Sequence, residues 1–171
     1  MSGLMLMHNW FPDPYLTGTV KPSTVSSVEW AYWDSPYPML NVRSKDGDYR
    51  YAEYRLTGLP PGIPVRLSAF MDASKATVDF NPLMLLNSQY AVLDRGETVS
   101  GVTRTVTVDA TVPSDGVLYL RFYSPKKTGE QATYSRVMLT EAGTYAEVDR
   151  IVPAAASGGV FGYALMPNPR S

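Results

Sequence analysis

The strongest constraint on the fold lies between Val102 and Tyr123, where apolar and polar residues alternate in two runs. In the first run Val106, Val108, Ala110 and Val112 share one parity, and Thr105, Thr107, Asp109 and Thr111 share the other. In the second, Leu118, Leu120 and Phe122 alternate with Tyr119, Arg121 and Tyr123. Side chains of an extended strand project to opposite faces in turn, so this period marks two strands, each with one buried face. Pro113-Ser114-Asp115-Gly116 separates them. Proline presets one turn dihedral and glycine accepts a positive φ. The pair is expected to form a hairpin or an arch. No segment of ordinary helical length carries the helical period. The best stretch, Glu141 to Val148, contains Gly143 and Thr144 and is too short to stand alone.

Further strands follow the same logic. Ile63 to Met71 places Val65, Leu67, Ala69 and Met71 on one face, after the turn signal Leu59-Pro60-Pro61-Gly62. Tyr134 to Glu141 is a strand with Val137 and Leu139 inward. In Tyr49 to Leu56 the parity slips by one residue between Tyr51 and Ala52, which reads as a β-bulge. Asp46-Gly47 reads as the hairpin turn leading into it. Val28 to Trp33 and Met39 to Val42 are short strands, and Asn81 to Leu86 is an ambiguous apolar stretch. About eight short strands at regular spacing read as an antiparallel β-sandwich. The chain has 171 residues, enough for one such domain without a disulfide or metal staple.

The residue inventory removes most chemistries. There is no cysteine, which excludes thiol catalysis, disulfides and cysteine-ligated zinc. The single histidine, His8, reads as a surface residue. The carboxylates Glu29, Glu53, Glu97, Glu130, Glu141 and Glu147 are scattered without a glycosidase motif. Asp46, Asp48 and Glu53 lack a compact calcium loop and read as a solvated turn. Lys126-Lys127 reads as a solvated loop tip, and the eight methionines as packing filler. No catalytic residue, metal or cofactor is expected, and the protein is not expected to be an enzyme. The net charge of −1 argues against nucleic acid and a polybasic membrane contact. No run of about 18 apolar residues forms a span, and the N-terminus does not read as a signal peptide.

Two segments differ from the rest. The first 42 residues hold all three tryptophans and little charge, and Trp30, Tyr32, Trp33 and Tyr37 form an aromatic cluster. In a regular strand Trp30 and Tyr32 share a face and Trp33 takes the other, so at least one ring faces outward. Core or subunit contact is one reading. Stacking against sugar C–H faces is the other. Residues 151–171 carry one charge, Arg170, amid Ala, Gly and Pro, with Val160, Phe161, Tyr163, Leu165 and Met166 interspersed. Solvated tails are charged and poor in aromatics, so this reads as an assembly arm. Trp10-Phe11-Pro12-Asp13-Pro14 and Leu165-Met166-Pro167-Asn168-Pro169 echo each other as extended segments.

Three segments in order resemble a known family. His8-Asn9-Trp10-Phe11-Pro12-Asp13-Pro14 is similar to the opening of carbohydrate-binding-module-like jelly rolls in bacteriophage structural proteins. Tyr54-Arg55-Leu56-Thr57-Gly58-Leu59-Pro60-Pro61-Gly62 with Val65-Arg66-Leu67-Ser68-Ala69 resembles their Gly-Leu-x-Pro-Gly segment. Tyr134 to Gly143 resembles their final core strand. Val65 replaces the usual aromatic, and Tyr134 stands where tryptophan is common. The resemblance implies a jelly-roll sandwich over residues 1–150, with the arm at 151–171. It implies a virion structural protein of a tailed phage, made in the host cytoplasm and placed in the tail. Capsid decoration, or a glycan-binding module for host-surface attachment, is the alternative. Its expected partners are other virion proteins, further copies of itself and a surface glycan.

Overall fold

The computed structural model describes residues 7–14, 16, 18, 22, 24–26, 28–33, 39–48 and 50–151, with backbone alone for 24–26, 28–33 and 151. Ten strands are present among these residues: β1 (Thr24–Ser26), β2 (Val28–Trp33), β3 (Met39–Ser44), β4 (Tyr51–Leu56), β5 (Pro64–Asp72), β6 (Leu83–Leu86), β7 (Val92–Asp94), β8 (Thr103–Thr111), β9 (Leu118–Tyr123) and β10 (Gln131–Glu141). One helix, α1 (Ala142–Ile151), follows. The strands form two five-stranded sheets. The front sheet has the order β1-β4-β9-β6-β7 and the back sheet β2-β3-β10-β5-β8. Each strand pair is antiparallel.

The alternating residues meet between the sheets. Ala52, Tyr54, Leu118, Leu120 and Phe122 of the front sheet face Val65, Leu67, Val106, Val108, Tyr134 and Leu139 of the back sheet, all nearly inaccessible to solvent. Phe122 packs edge-on against Tyr54 and Tyr134, at ring separations of 5.7 and 5.2 Å. The Tyr134 hydroxyl donates to the Tyr123 carbonyl at 2.6 Å, so this core tyrosine buries no unsatisfied oxygen.

Several expectations change. Val102 to Tyr123 is an arch, because β8 lies in the back sheet and β9 in the front sheet. Its turn packs on the Leu59–Gly62 turn so tightly that a Cβ on Gly116 (φ +70°) would sit 2.7 Å from the Leu59 carbonyl oxygen. Asp46-Gly47 likewise joins strands of different sheets, β3 and β4, and is not a hairpin turn. β4 keeps an unbroken register with β9. The parity slip there has another origin: Tyr51 lies on the outer face and is half-buried without being core. The bulge lies in β10 instead, between Ser135 and Met138, where Arg136 has φ +52°. It puts Tyr134, Val137 and Leu139 all inward, as the slip of one residue requires.

Glu141 to Val148 was too short to stand alone, and it does not stand alone. Residues 142–151 form α1, whose Tyr145 and Val148 are buried at helical spacing against β5 and β10. Packing of one face stabilises a helix that propensity alone does not. At the other end of the chain, the Trp10 N–H donates to the Leu139 carbonyl at 2.8 Å. The Asn9 side chain donates to the Val137 carbonyl and accepts from the Leu139 N–H, at 3.1 and 2.9 Å. The opening segment therefore satisfies the backbone of β10 beyond its bulge, where β3 no longer pairs with it.

Candidate functional site

The outer face of the front sheet carries a polar aromatic layer. On β4 the residues opposite the core parity are Tyr51, Glu53 and Arg55; on β9 they are Tyr119, Arg121 and Tyr123. Antiparallel register sets Tyr51 beside Tyr123, Glu53 beside Arg121, and Arg55 beside Tyr119. On β6, Met84 stands beside Arg121 and Leu86 beside Tyr119.

Arg121 ties the layer together. Its Nε donates to Glu53 at 2.6 Å, and one Nη donates to the Tyr123 hydroxyl at 3.2 Å. The guanidinium lies 3.9 Å from the centroid of the Tyr51 ring. The Tyr123 hydroxyl donates onward to the Met84 sulfur at 3.4 Å. The Glu53 side chain is only 1% exposed and that of Arg121 14%. A charge pair this covered keeps its strength only because each member is hydrogen-bonded. Burial works to lower the Arg121 pKa, but the bonds to Glu53 and Tyr123 outweigh it and the net direction is up. Burial, the largest cause, pushes the Tyr123 hydroxyl up as well.

Tyr90 completes the face. It sits in the β6–β7 turn at φ +61°, a conformation held by local bonds. The Asn87 side chain accepts from the N–H groups of Gln89 and Ala91, and the Tyr90 N–H donates to the Asn87 carbonyl. Ser88 donates to Asp115 at 2.6 Å, which pins the turn to the β8–β9 arch. From this mount the Tyr90 ring stacks on Tyr119 at 4.6 Å and 24°. It is 53% exposed, the most exposed large apolar side chain among the described residues. A rigidly held ring beside half-buried tyrosines and a guanidinium offers an apolar platform with polar neighbours, the combination a sugar ring needs.

The remaining clefts are different in kind. One of about 220 Å³ is lined by Asp72, Ser74, Lys75, Gln131 and Thr133 and has no aromatic wall. Another lies at the end of β3. No group of three metal-ligating side chains occurs among the described residues. Asp46 and Asp48 both engage Arg50, while Glu53 engages Arg121, so these three acids are tied to two different arginines.

The sequence placed its aromatic candidates elsewhere. Trp30, Tyr32 and Trp33 lie on β2, in register with Val42, Leu40 and Met39. Tyr37 lies outside the described residues, as do Val160, Phe161, Tyr163, Leu165 and Met166 of the arm. The front-face layer had a signal in the sequence: Tyr119-x-Arg121-x-Tyr123 on the non-core parity of a strand whose other parity is Leu, Leu and Phe. What the sequence lacked was the neighbour, since Tyr51 and Glu53 come from a strand some 70 residues earlier.

Comparison with solved structures identifies the architecture. The xylan-binding CBM22-1 domain of Paenibacillus barcinonensis Xyn10C superposes with TM-score 0.56 at 10% identity, over 80% of this chain and 93% of that one. The second N-terminal cellulose-binding domain of Cellulomonas fimi β-1,4-glucanase C gives 0.54 at 16% identity, over 82% and 98%. The fold is a jelly-roll β-sandwich of the carbohydrate-binding-module type. An arabinose-bound GH51 α-L-arabinofuranosidase also matches, at TM-score 0.54 and 11% identity over 88% of this chain, which spans 30% of that larger one. No family model matches the sequence, and no curated protein matches it.

Proposed function

We infer that this jelly roll is a non-catalytic glycan-binding domain, and that its ligand lies on the front face against Tyr90, Tyr119, Tyr51 and Arg121. The observation that carries the reading is the stacked Tyr90–Tyr119 pair, mounted on a turn beside a hydrogen-bonded guanidinium. Two structural neighbours are named for xylan binding and cellulose binding, which supports the ligand class. Acid/base hydrolysis needs two facing carboxylates about 5–10 Å apart. Among the outward positions of β4, β9 and β6, Glu53 is the single acid, and Arg121 holds it. Affinity electrophoresis through gels containing xylan, cellulose derivatives and bacterial surface polysaccharides tests the reading. The protein should be retarded by at least one polymer, and Tyr90→Ala should weaken that binding about tenfold or less, the scale of one ring contact. Binding by Tyr90→Ala equal to wild type, or retardation by none of the polymers, overturns it.

The ordered resemblance of residues 8–143 supports a finer placement: a component of a tailed-phage particle, in several copies, on the tail in preference to the capsid. In that placement residues 151–171 dock onto neighbouring subunits, and weak glycan contacts gain strength through avidity. Light scattering over a range of concentrations, on the full chain and on a chain ending at Arg150, tests it. A defined oligomer that the truncation abolishes while the sandwich stays folded supports assembly through the arm. A monomer at all concentrations, or an oligomer unaffected by truncation, removes that mechanism.

A further inference from the structure

We propose that the cleft at the end of β3, lined by Arg43, Ser44, Lys45, Thr128 and Gly129, is a binding site for an oxyanion: a carboxylate, sulfate or phosphate group. It stands on observations separate from the tyrosine face, and neither proposal needs the other.

The cleft has a fixed frame. The β9–β10 loop returns alongside the end of β3, where the Gly129 N–H donates to the Ser44 carbonyl at 3.0 Å and the Ser44 N–H donates to the Glu130 carbonyl at 3.1 Å. The β3–β4 loop closes from the other side. Gly47 (φ +79°) approaches so near that a Cβ there would stand 2.8 Å from the Thr128 hydroxyl oxygen. Between these loops lies a space of about 420 Å³, within the size of small-ligand sites.

The charges of the cleft are unbalanced. Arg43 and Lys45 are two residues apart at the strand end, and both are exposed. A Cβ on Gly129 would lie 3.6 Å from one Arg43 Nη, so the guanidinium reaches Gly129 at the cleft. Arg43 is in register with Glu29 on β2 and Gln131 on β10. Among the described residues neither Arg43 nor Lys45 forms an ion pair, as is also true of Arg55, Lys75, Arg95 and Lys126. The nearby acids whose side chains the structure describes are turned to other partners. Asp46 and Asp48 reach Arg50 at 3.1 and 3.5 Å. Glu130 accepts from the backbone and hydroxyl of Thr77 and lies 3.7 Å from Lys127. Two cations held in one cleft repel each other, and an oxyanion removes that repulsion while taking hydrogen bonds from the guanidinium fork, the ammonium and the Thr128 hydroxyl.

The test is a titration of the isotope-labelled full chain, followed by its amide spectrum at constant ionic strength. The probes are sodium sulfate, inorganic phosphate, an oligogalacturonate and a neutral xylo-oligosaccharide. The expected result is saturable shifts at Ser44, Lys45, Thr128 and Gly129 with an anionic probe. These should weaken about tenfold or more in R43Q/K45Q and persist in R104Q, whose arginine lies on β8. Saturation by sulfate or phosphate as tightly as by oligogalacturonate makes the free inorganic ion the ligand. Tighter binding of oligogalacturonate makes it the acidic sugar. Shifts that never saturate with any anion, or that survive in R43Q/K45Q, overturn the proposal. So does an equal response at these amides to the neutral oligosaccharide.

Discussion

The two sheets share a core but close their outer faces differently. On the back sheet Met138 and Thr140 are buried, and α1 lays Tyr145 and Val148 over that part of the sheet. Arg66 lies 5.0 Å from the Tyr145 ring while gripping Asp109 with two bonds of 2.7 and 2.8 Å. On the front sheet side chains of the strands cross-link one another: Glu53, Arg121, Tyr51 and Tyr123. The helix covers part of the back sheet with its own buried side chains. A side-chain layer hides its charges and still offers its outermost ring, Tyr90, to a partner. The same jelly roll thus closes part of its back sheet with a helix and its front sheet with a side-chain layer.

The comparison can be broken hardest at Glu53. Glu53→Ala leaves Arg121 covered without its carboxylate and should cost about 3 kcal/mol in urea unfolding. The double replacement E53M/R121M should cost clearly less than either single change, because it removes both charges. A double-variant loss equal to the sum of the single losses would mean the two residues contribute independently, through packing alone. Val148→Ala attacks the back face. Losing two buried methyl groups should cost about 2 kcal/mol and leave glycan retention unchanged. A change in retention would show that the faces are coupled.

Alkaline pH probes both faces together. Burial is the largest cause raising Tyr123 and Tyr145 above the ordinary value of 10.0. Each stabilises the fold fully below the unfolded tyrosine pKa, and that contribution is lost as pH rises through the higher folded values. Thermal unfolding should therefore show a fall in midpoint as pH rises past 10, reduced in a Tyr145→Phe variant. At the acid end the signs reverse. Asp46, Asp72 and Asp115 are lowered from 3.8, chiefly by Arg50, the Ser74 N–H and Ser88 respectively. Their contribution is present above that value and lost as pH falls through the folded ones. The smallest effect on stability is expected at Tyr90. Tyr90→Ala should change unfolding by no more than about 0.5 kcal/mol, since the ring is exposed, while it reduces ligand retention. A large loss of stability would make Tyr90 part of the scaffold.

Much of the architecture was legible. Leu118, Leu120 and Phe122 against Tyr119, Arg121 and Tyr123 is the observed division of β9, and the faces of β5 and β8 follow the parity of their sequences. Strands with one buried face announce themselves because the side-chain period is a property of the extended backbone. The short strands β1 and β7 were not anticipated, as three residues carry too little pattern. The helix α1 is not legible in the sequence because its segment is short and holds Gly143 and Thr144; its packing on β5 and β10 stabilises it. The bulge was placed in β4 because Tyr51 looked like core; it is an aromatic of the outer layer.

The sequence by itself determined that this chain is a sandwich: which segments extend, which parity is apolar, and where the chain must turn. It also removed thiol chemistry and disulfides outright, since composition decides those without any geometry. Only the tertiary structure decided which strands are neighbours, and the aromatic layer of the front sheet depends on that. Glu53 meets Arg121 because β4 pairs with β9 across a separation of 68 residues. A period of two says which side a residue faces and nothing about what stands beside it; that is set by the order of strands in the sheet, a property of the whole chain.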